Sequence, residues 1–381
     1  MNAAPSPGPR RRVLAVHAGS QMYGSDRMFA ESVRGFVENG DEVLVVLPDR
    51  GALCSLLDEA GVEVVVAAMP VLRKSALSLR GGAGLTAETV RSLGPGLRLA
   101  RRFRPDVVYV STVTIPSWFV IGRAVRARVV CHVHEAEPAA HRVVQTGLAA
   151  PLLLAHECLI NSAFSAEVLT RALPALASRV TVVPNGVAGP TQEPAAVRGD
   201  PTPLRLLFVG RLSPRKGPDV AVRAVRELRD RGVDVQIRLV GSIFPGYEWF
   251  DESLRSENAD LVDAGVLEFA GFTSDVWSAL ADCDIAVVPS VMAEPFGNAA
   301  VEAALAQRPV IVSDIGGLPE AVADMPSARR VEPGDPDAIA AAVDDVLQDW
   351  DDMAEQVQES RRIALARFGP TTYRRRIAAL G

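Results

Sequence analysis

Asp284-Ile285-Ala286-Val287-Val288-Pro289-Ser290, followed three residues later by Glu294-Pro295-Phe296-Gly297-Asn298-Ala299-Ala300-Val301-Glu302, is the stretch that decides the fold of this chain. Five of its first seven residues are apolar or proline, which reads as a strand buried on both faces, as in a parallel sheet covered by helices. The run from Asn298 to Gln307 predicts a helix, with Asn298 placed to cap it. Glu294 therefore falls in the loop between strand and helix, and Glu302 in the first turns of the helix. In an open parallel α/β sheet that position is the carboxyl-end crevice, where ligands bind. A carboxylate accepts hydrogen bonds in pairs, which suits vicinal hydroxyls, while the N–H groups of Phe296, Gly297 and Asn298 suit an anion. Residues that take hydroxyls and phosphates together fit a nucleotide sugar. Acidic side chains also gather at helix N-termini because they complement the macrodipole, so Glu302 alone does not decide the matter. Glu294-Pro295-Phe296-Gly297 is harder to read as decoration, since proline, an aromatic and glycine constrain a loop that could otherwise vary.

Outward from this stretch, short apolar runs alternate with helical patterns twice over. In the first half, residues 13–17, 43–47, 62–66, 107–110, 129–133 and 159–161 are rich in β-branched residues, and 26–38 and 87–103 between them have helical character. In the second half, 204–210, 235–240, 267–270, 284–289 and 310–313 take the strand role. This is the βαβ pattern of a doubly wound parallel sheet, repeated. Gly189-Pro190 through Gly199-Asp200-Pro201-Thr202-Pro203 reads as a punctuated linker between the halves. The expectation is two Rossmann-like domains, 1–189 and 190–365, facing each other across a cleft.

A length of 381 residues with 48% hydrophobic and 23% charged residues is ordinary for a globular chain with large cores. No apolar run reaches membrane-spanning length, and residues 1–9 lack a signal-like hydrophobic stretch, so the expected location is the cytoplasm. Cys54, Cys131, Cys158 and Cys283 show no Cys-x-x-Cys spacing and read as reduced core thiols. Charge divides unevenly. Up to Pro190 there are 20 Lys+Arg against 15 Asp+Glu, and beyond it 20 against 31. The acidic total of −6 argues against a nucleic-acid partner. The mildly basic first half is compatible with an anionic acceptor or peripheral contact with an anionic membrane surface, and equally with uneven surface composition.

Neither half carries a full Gly-x-Gly-x-x-Gly, so a dinucleotide fingerprint is absent. Gly210-Arg211-Leu212-Ser213-Pro214-Arg215-Lys216-Gly217 instead places arginine and lysine in the turn after a strand, where Arg can hold a diphosphate bidentately and Lys adds a point charge. Of 40 basic residues only Lys74 and Lys216 are lysines, which suggests that Lys216 is needed as a lysine. His132 and His134 alternate onto one side of the strand 128–134, so a metal pair and a ligand contact both stay open there. Asp282-Cys283-Asp284 imitates an Asp-x-Asp metal motif, but it enters a buried strand, with Asp282 ending the preceding helix. No metal ligand set and no cofactor are assigned. Arg73, Lys74 and Arg80 cluster in an irregular, glycine-rich connection after the third strand, 71–84, and are candidate acceptor contacts against the plainer reading of a solvated loop.

Glu294-x7-Glu302 and Gly210-Arg211-Leu212-x-x-x-Lys216-Gly217 together resemble the signatures of retaining glycosyltransferases of the GT-B fold, in particular the family 4 glycosyltransferases. Tyr23-Gly24-Ser25-Asp26-Arg27 is similar to the family's Gly-Gly-x-Glu-Arg run, with Tyr23 in place of the first glycine and Asp26 in place of the glutamate. Asn185-Gly186-Val187 is similar to its Pro-Asn-Gly-Val turn. The resemblance implies a GT-B fold whose last residues, about 366–381, cross back onto the first domain. It implies transfer of a sugar from a UDP- or GDP-sugar to a hydroxyl acceptor, giving an α-glycoside by a front-face mechanism without an essential metal. Arg211, Lys216, His134 and Glu294 would be the catalytic residues, Arg211 and Lys216 binding the donor diphosphate, His134 facing the sugar and Glu294 also belonging to the donor site. Gly24, Phe296, Gly297, Asn298 and Glu302 would complete the donor site, and Ser25 and Asp26 would join Arg73, Lys74 and Arg80 on the acceptor side. A non-hydrolysing sugar-nucleotide epimerase of the same fold, or a non-catalytic nucleotide-sugar-binding protein, are the alternatives.

Overall fold

A computed structural model describes residues 10–21, 24–72, 79–135, 138, 141–243 and 246–380, without the side chains of 79–87. The chain forms two compact units, Met1–Gly186 with Pro370–Gly381, and Val187–Gly369.

In the first unit, β1 (Arg12–His17), β2 (Glu42–Leu47), β3 (Glu63–Val66), β4 (Val107–Ser111), β5 (Arg128–Val133), β6 (Glu157–Ile160) and β7 (Val180–Val182) form one parallel sheet in the order β3-β2-β1-β4-β5-β6-β7. Alternation along β1 shows why it is buried on both sides. Leu14 and Val16 pack with Val108, Val110 and Trp118 on one face, while Val13 and Ala15 pack with Phe29, Phe36 and Tyr373 on the other. Burying one such aliphatic or aromatic side chain contributes roughly 1.5–3 kcal/mol. Two faces mean two helical layers, one of which includes helix Gly24–Glu38 and helix Pro370–Ala378 packed side by side. The Arg374 guanidinium meets Glu31 at 2.7 Å between these helices, and Arg11 donates to the Ala378 carbonyl at 2.9 Å, satisfying an acceptor that a helix end leaves open.

In the second unit, β8 (Leu204–Val209), β9 (Val235–Val240), β10 (Leu267–Gly271), β11 (Ile285–Val288), β12 (Val310–Ser313) and β13 (Ala328–Val331) pair in parallel in the order β10-β9-β8-β11-β12-β13. The sixth strand is not foreshadowed by an apolar run. Its sequence, Ala328-Arg329-Arg330-Val331, forms an edge strand paired on one side only, with Val310 to Ser313 of β12.

In both sheets the strand order reverses next to the first strand of the unit, between β1 and β4 and between β8 and β11. Loops leaving the carboxyl ends of those strands diverge to opposite faces and leave a crevice. Those loops carry the residues of interest.

Two local expectations are corrected. Asn298 does not cap its helix. Helix Asn298–Leu305 is preceded by Gly297 as the cap residue, at φ 125 and with no side-chain cap bond. A Cβ at Gly297 would also stand 2.7 Å from Leu318 Cδ2, so an asparagine side chain has no room at that position. The connection 71–84 is not irregular throughout either, because helix Leu79–Phe103 begins inside it and Arg80 lies in its first turn. Helical propensity of the arginine- and leucine-rich segment outweighs its glycines.

Candidate active site at the β8 and β11 strand ends

Loop 210–217 leaves β8, and loop 289–297 leaves β11 beside it. They are stitched together through backbone. The Arg215 carbonyl accepts the N–H of Val291 at 2.9 Å, and Arg215 Nη2 donates to the Ala293 carbonyl at 3.1 Å. Gly217 closes the first loop at φ 65, and a Cβ there would lie 2.1 Å from the Pro289 carbonyl oxygen. Only glycine allows both that conformation and that approach.

This stitching brings Lys216 to Glu294. Lys216 Nζ lies 2.6 Å from Glu294 Oε2, and the Ser290 hydroxyl donates to Glu294 Oε1. Glu294 is buried, with 8% of its surface exposed. Burial pushes its carboxyl up, but the Lys216 ammonium and the Ser290 hydroxyl outweigh that, and the net shift is downward. Glu294 is thus an anion at neutral pH. Arg211 is exposed at the mouth of loop 210–217. Phe296 turns its ring into the core, edge-on to Phe368 at 5.3 Å, so what it can offer a ligand is its backbone. Glu302 is half-buried on helix Asn298–Leu305, and Asn298 half-buried at its start. Gly297, the cap residue, offers this helix no side-chain cap, and a helix N-terminus suits an anion.

Asp284 sits at the opposite, amino end of β11. It is buried, accepts the Arg205 N–H at 2.8 Å and the Arg198 Nε at 2.7 Å, and so serves as an internal counter-ion. Asp282 ends helix Val276–Ala281, with its side chain 70% exposed.

In the first unit, the strand ends gather histidines. His17, last in β1, donates Nδ1–H to the Ser111 carbonyl at 3.0 Å and meets Asp26 Oδ1 through Nε2 at 2.8 Å, both side chains being buried. Near the end of β5, His132 is fully buried, its Nδ1 hydrogen-bonded to the Tyr109 hydroxyl at 2.7 Å. His134 lies tilted against it, 4.1 Å between ring centroids, half-buried, with no hydrogen-bond partner for its Nε2 among the described residues. Burial lowers His132 to about 3, and burial first of all, with smaller contributions from the neighbouring imidazoles, lowers His134 well below its ordinary value. Both rings are neutral, and neutral imidazole can donate and accept.

Gly24 and Ser25 open helix Gly24–Glu38, exposed and half-buried respectively, and Asp26 is turned inward to His17. Tyr23, Arg73 and Lys74 lie outside the described residues, as does the side chain of Arg80. Among the described residues, no three His, Cys, Asp or Glu side chains gather as a metal site. Sequence reasoning missed His17 and Ser290. Each stands at the carboxyl end of a strand run, the signal by which His134 was singled out.

A family profile described as glycosyl transferases group 1 matches residues 203–349, and one described as glycosyl transferase 4-like domain matches 24–186. The chain belongs to the group 1 glycosyltransferases. Among curated members it is 30% identical over 277 residues to a glycogen synthase of Mycobacterium tuberculosis, covering 67% of this chain and 64% of that one. It is 33% identical over 200 residues to the phosphatidyl-myo-inositol mannosyltransferase of Mycolicibacterium smegmatis, covering 51% and 50%. The chain thus spans about half to two thirds of the length of these two relatives. Among solved structures, Anabaena HepE in complex with UDP-glucose superimposes with a TM-score of 0.79 at 21% identity, covering 97% of this chain and 98% of that one. WaaG, a glycosyltransferase involved in lipopolysaccharide biosynthesis, gives 0.67 at 15% identity, over 96% and 100%. The fold of this group 1 glycosyltransferase is therefore GT-B, two parallel-sheet α/β units. Among the described residues no helix is long and apolar enough to cross a membrane.

Proposed function

We propose that the chain transfers a sugar from a nucleoside diphosphate sugar to a hydroxyl acceptor, with retention of configuration and without an essential metal ion. The observation that carries this reading is the meeting of Lys216 with Glu294 at a strand-order reversal, where a cation for phosphate and an anion for hydroxyls share one site. Arg211 and Lys216 hold the diphosphate and stabilise its growing charge as the bond from the anomeric carbon to the phosphate oxygen breaks. The acceptor oxygen bonds to that carbon from the same face, and its proton passes to the departing phosphate. Cationic side chains supply the electrostatics that a metal would supply elsewhere. Helix Asn298–Leu305 presents its N–H groups, through Phe296, Gly297 and Asn298, to the anion, and Glu302 takes the ribose hydroxyls. His134, a neutral imidazole with no hydrogen-bond partner for its Nε2 among the described residues, is the candidate sugar contact of the first unit, and Gly24 a candidate donor contact. Ser25, Asp26, Arg73, Lys74 and Arg80 are the acceptor candidates. HepE, a structural neighbour crystallised with UDP-glucose, supports a nucleotide-sugar donor.

Mass-spectrometric detection of products over a panel of UDP- and GDP-sugars tests this, with and without acceptor alcohols and excess chelator. A glycoside formed only with acceptor, and surviving chelation, is the expected result. Conversion of the donor sugar with no acceptor present would point to an epimerase instead.

A further inference from the structure

Lys216 and Ser290 hold the two oxygens of one carboxylate, but only one of them is fixed. Ser290 is wholly buried at the end of the β11 run, with no exposed surface, and donates to Glu294 Oε1. The backbone around Glu294 is pinned separately, since its carbonyl accepts the Gly317 N–H at 2.8 Å and the neighbouring Ala293 carbonyl takes Arg215. The Lys216 side chain is 32% exposed, against 10% for that of Glu294. The carboxylate is anchored, then, while the ammonium is a point charge on a flexible four-carbon stem. A diphosphate arriving at loop 210–217 carries more charge than one carboxylate and competes for the same ammonium.

We propose that Lys216 is an exchangeable cation: it pairs with Glu294 in the protein alone, moves to the diphosphate of an incoming nucleotide, and so releases Glu294 Oε2 to accept a sugar hydroxyl. This rests on the donor reading above and deepens it. Ser290 is a positioning residue that keeps the carboxylate in place when Lys216 leaves. The exchange couples the two halves of donor recognition. A nucleoside diphosphate without its sugar breaks the ion pair and leaves Glu294 Oε2 without a replacement, whereas a nucleotide sugar supplies the missing donor.

Calorimetric titration of the full chain with UDP and GDP tests the exchange in a double-mutant cycle of Glu294→Gln and Lys216→Ala. Glutamine keeps the shape and the Ser290 contact but no longer ties Lys216. Glu294→Gln should therefore tighten nucleoside diphosphate binding by about threefold or more when Lys216 is present, and by less than about twofold in the Lys216→Ala background. An equal gain in both backgrounds means simple repulsion between carboxylate and phosphate, and overturns the exchange; so does no gain at all. Ser290→Ala should leave UDP and GDP affinity within about twofold while weakening UDP-glucose or GDP-mannose, whichever binds the wild type. A parallel loss for nucleotide and nucleotide sugar would make Ser290 merely structural and overturn its assigned role. If neither nucleotide binds the wild type, the donor reading fails and the exchange with it.

Discussion

His132 and His134 lie ring against ring at the end of β5, 4.1 Å between centroids, and neither ring carries a charge in the folded protein. His132 is lowered from 6.5 to about 3 by burial, and His134 moves the same way for the same first reason. An unfolded chain takes up both protons once the pH drops below 6.5, whereas in the folded chain His132 resists until about 3 and His134 until well below its ordinary value. The stability conferred by the neutral rings is thus fully present above 6.5 and is lost on acidification, by up to about 1.4 kcal/mol per pH unit for each ring. Urea midpoints measured from about pH 7 down to about pH 5 should fall, and His132→Gln should flatten the trend. A midpoint independent of pH in the wild type would show that the imidazoles titrate normally.

Glu302→Ala should weaken donor binding by about 1.5–3 kcal/mol, or one to two decades, because it removes charge-assisted hydrogen bonds to ribose hydroxyls. Calorimetry with a nucleotide sugar that the wild type turns over reads this directly. A folded mutant with unchanged affinity would remove Glu302 from the donor site.

Lys216→Ala and Arg211→Ala should each lower turnover by about two decades or more, since their charge matters most as the diphosphate departs. Lys216→Arg should recover only part of that. A planar fork cannot reproduce both the 2.6 Å contact to Glu294 and a point charge on phosphate. Steady-state rates of the three variants decide the matter, and full activity in Lys216→Arg would show that any cation suffices.

Gly217→Ala should destabilise the second unit by about 1–3 kcal/mol through its left-handed backbone alone, and by more because its Cβ would press on the Pro289 carbonyl. The two stitched loops should separate, so activity should fall further than the melting temperature alone suggests. Calorimetric melting beside an activity assay checks both. Wild-type values in each would mean that the loops tolerate a side chain there.

Much was legible in the sequence because much of it is local. Valine-rich runs such as Val13 to Val16 and Val43 to Leu47 report strands covered on both faces, and their alternation with helical segments dictates a parallel doubly wound sheet in each half. Arg211, Lys216, Glu294 and Glu302 were recognisable by spacing, since the loops that carry them directly follow strand runs and their residue types suit phosphate and hydroxyls. What tertiary structure alone decided depends on which strands become neighbours. β13 carries two arginines in four residues, and it exists because β12 offers it a partner edge, which no periodicity within the segment could announce. Asn298 looked like a cap until the packing of Leu318 reserved the preceding position for Gly297. Asp26 stands in sequence as an acceptor-side candidate by resemblance alone, and it is the fold that turns it inward to His17. Lys216 and Glu294 are each conspicuous in sequence, but their ion pair arises only because β8 and β11 lie side by side at the point where strand order reverses. Local pattern encodes burial and backbone geometry. Charge pairing between distant loops is decided only when the sheet is assembled.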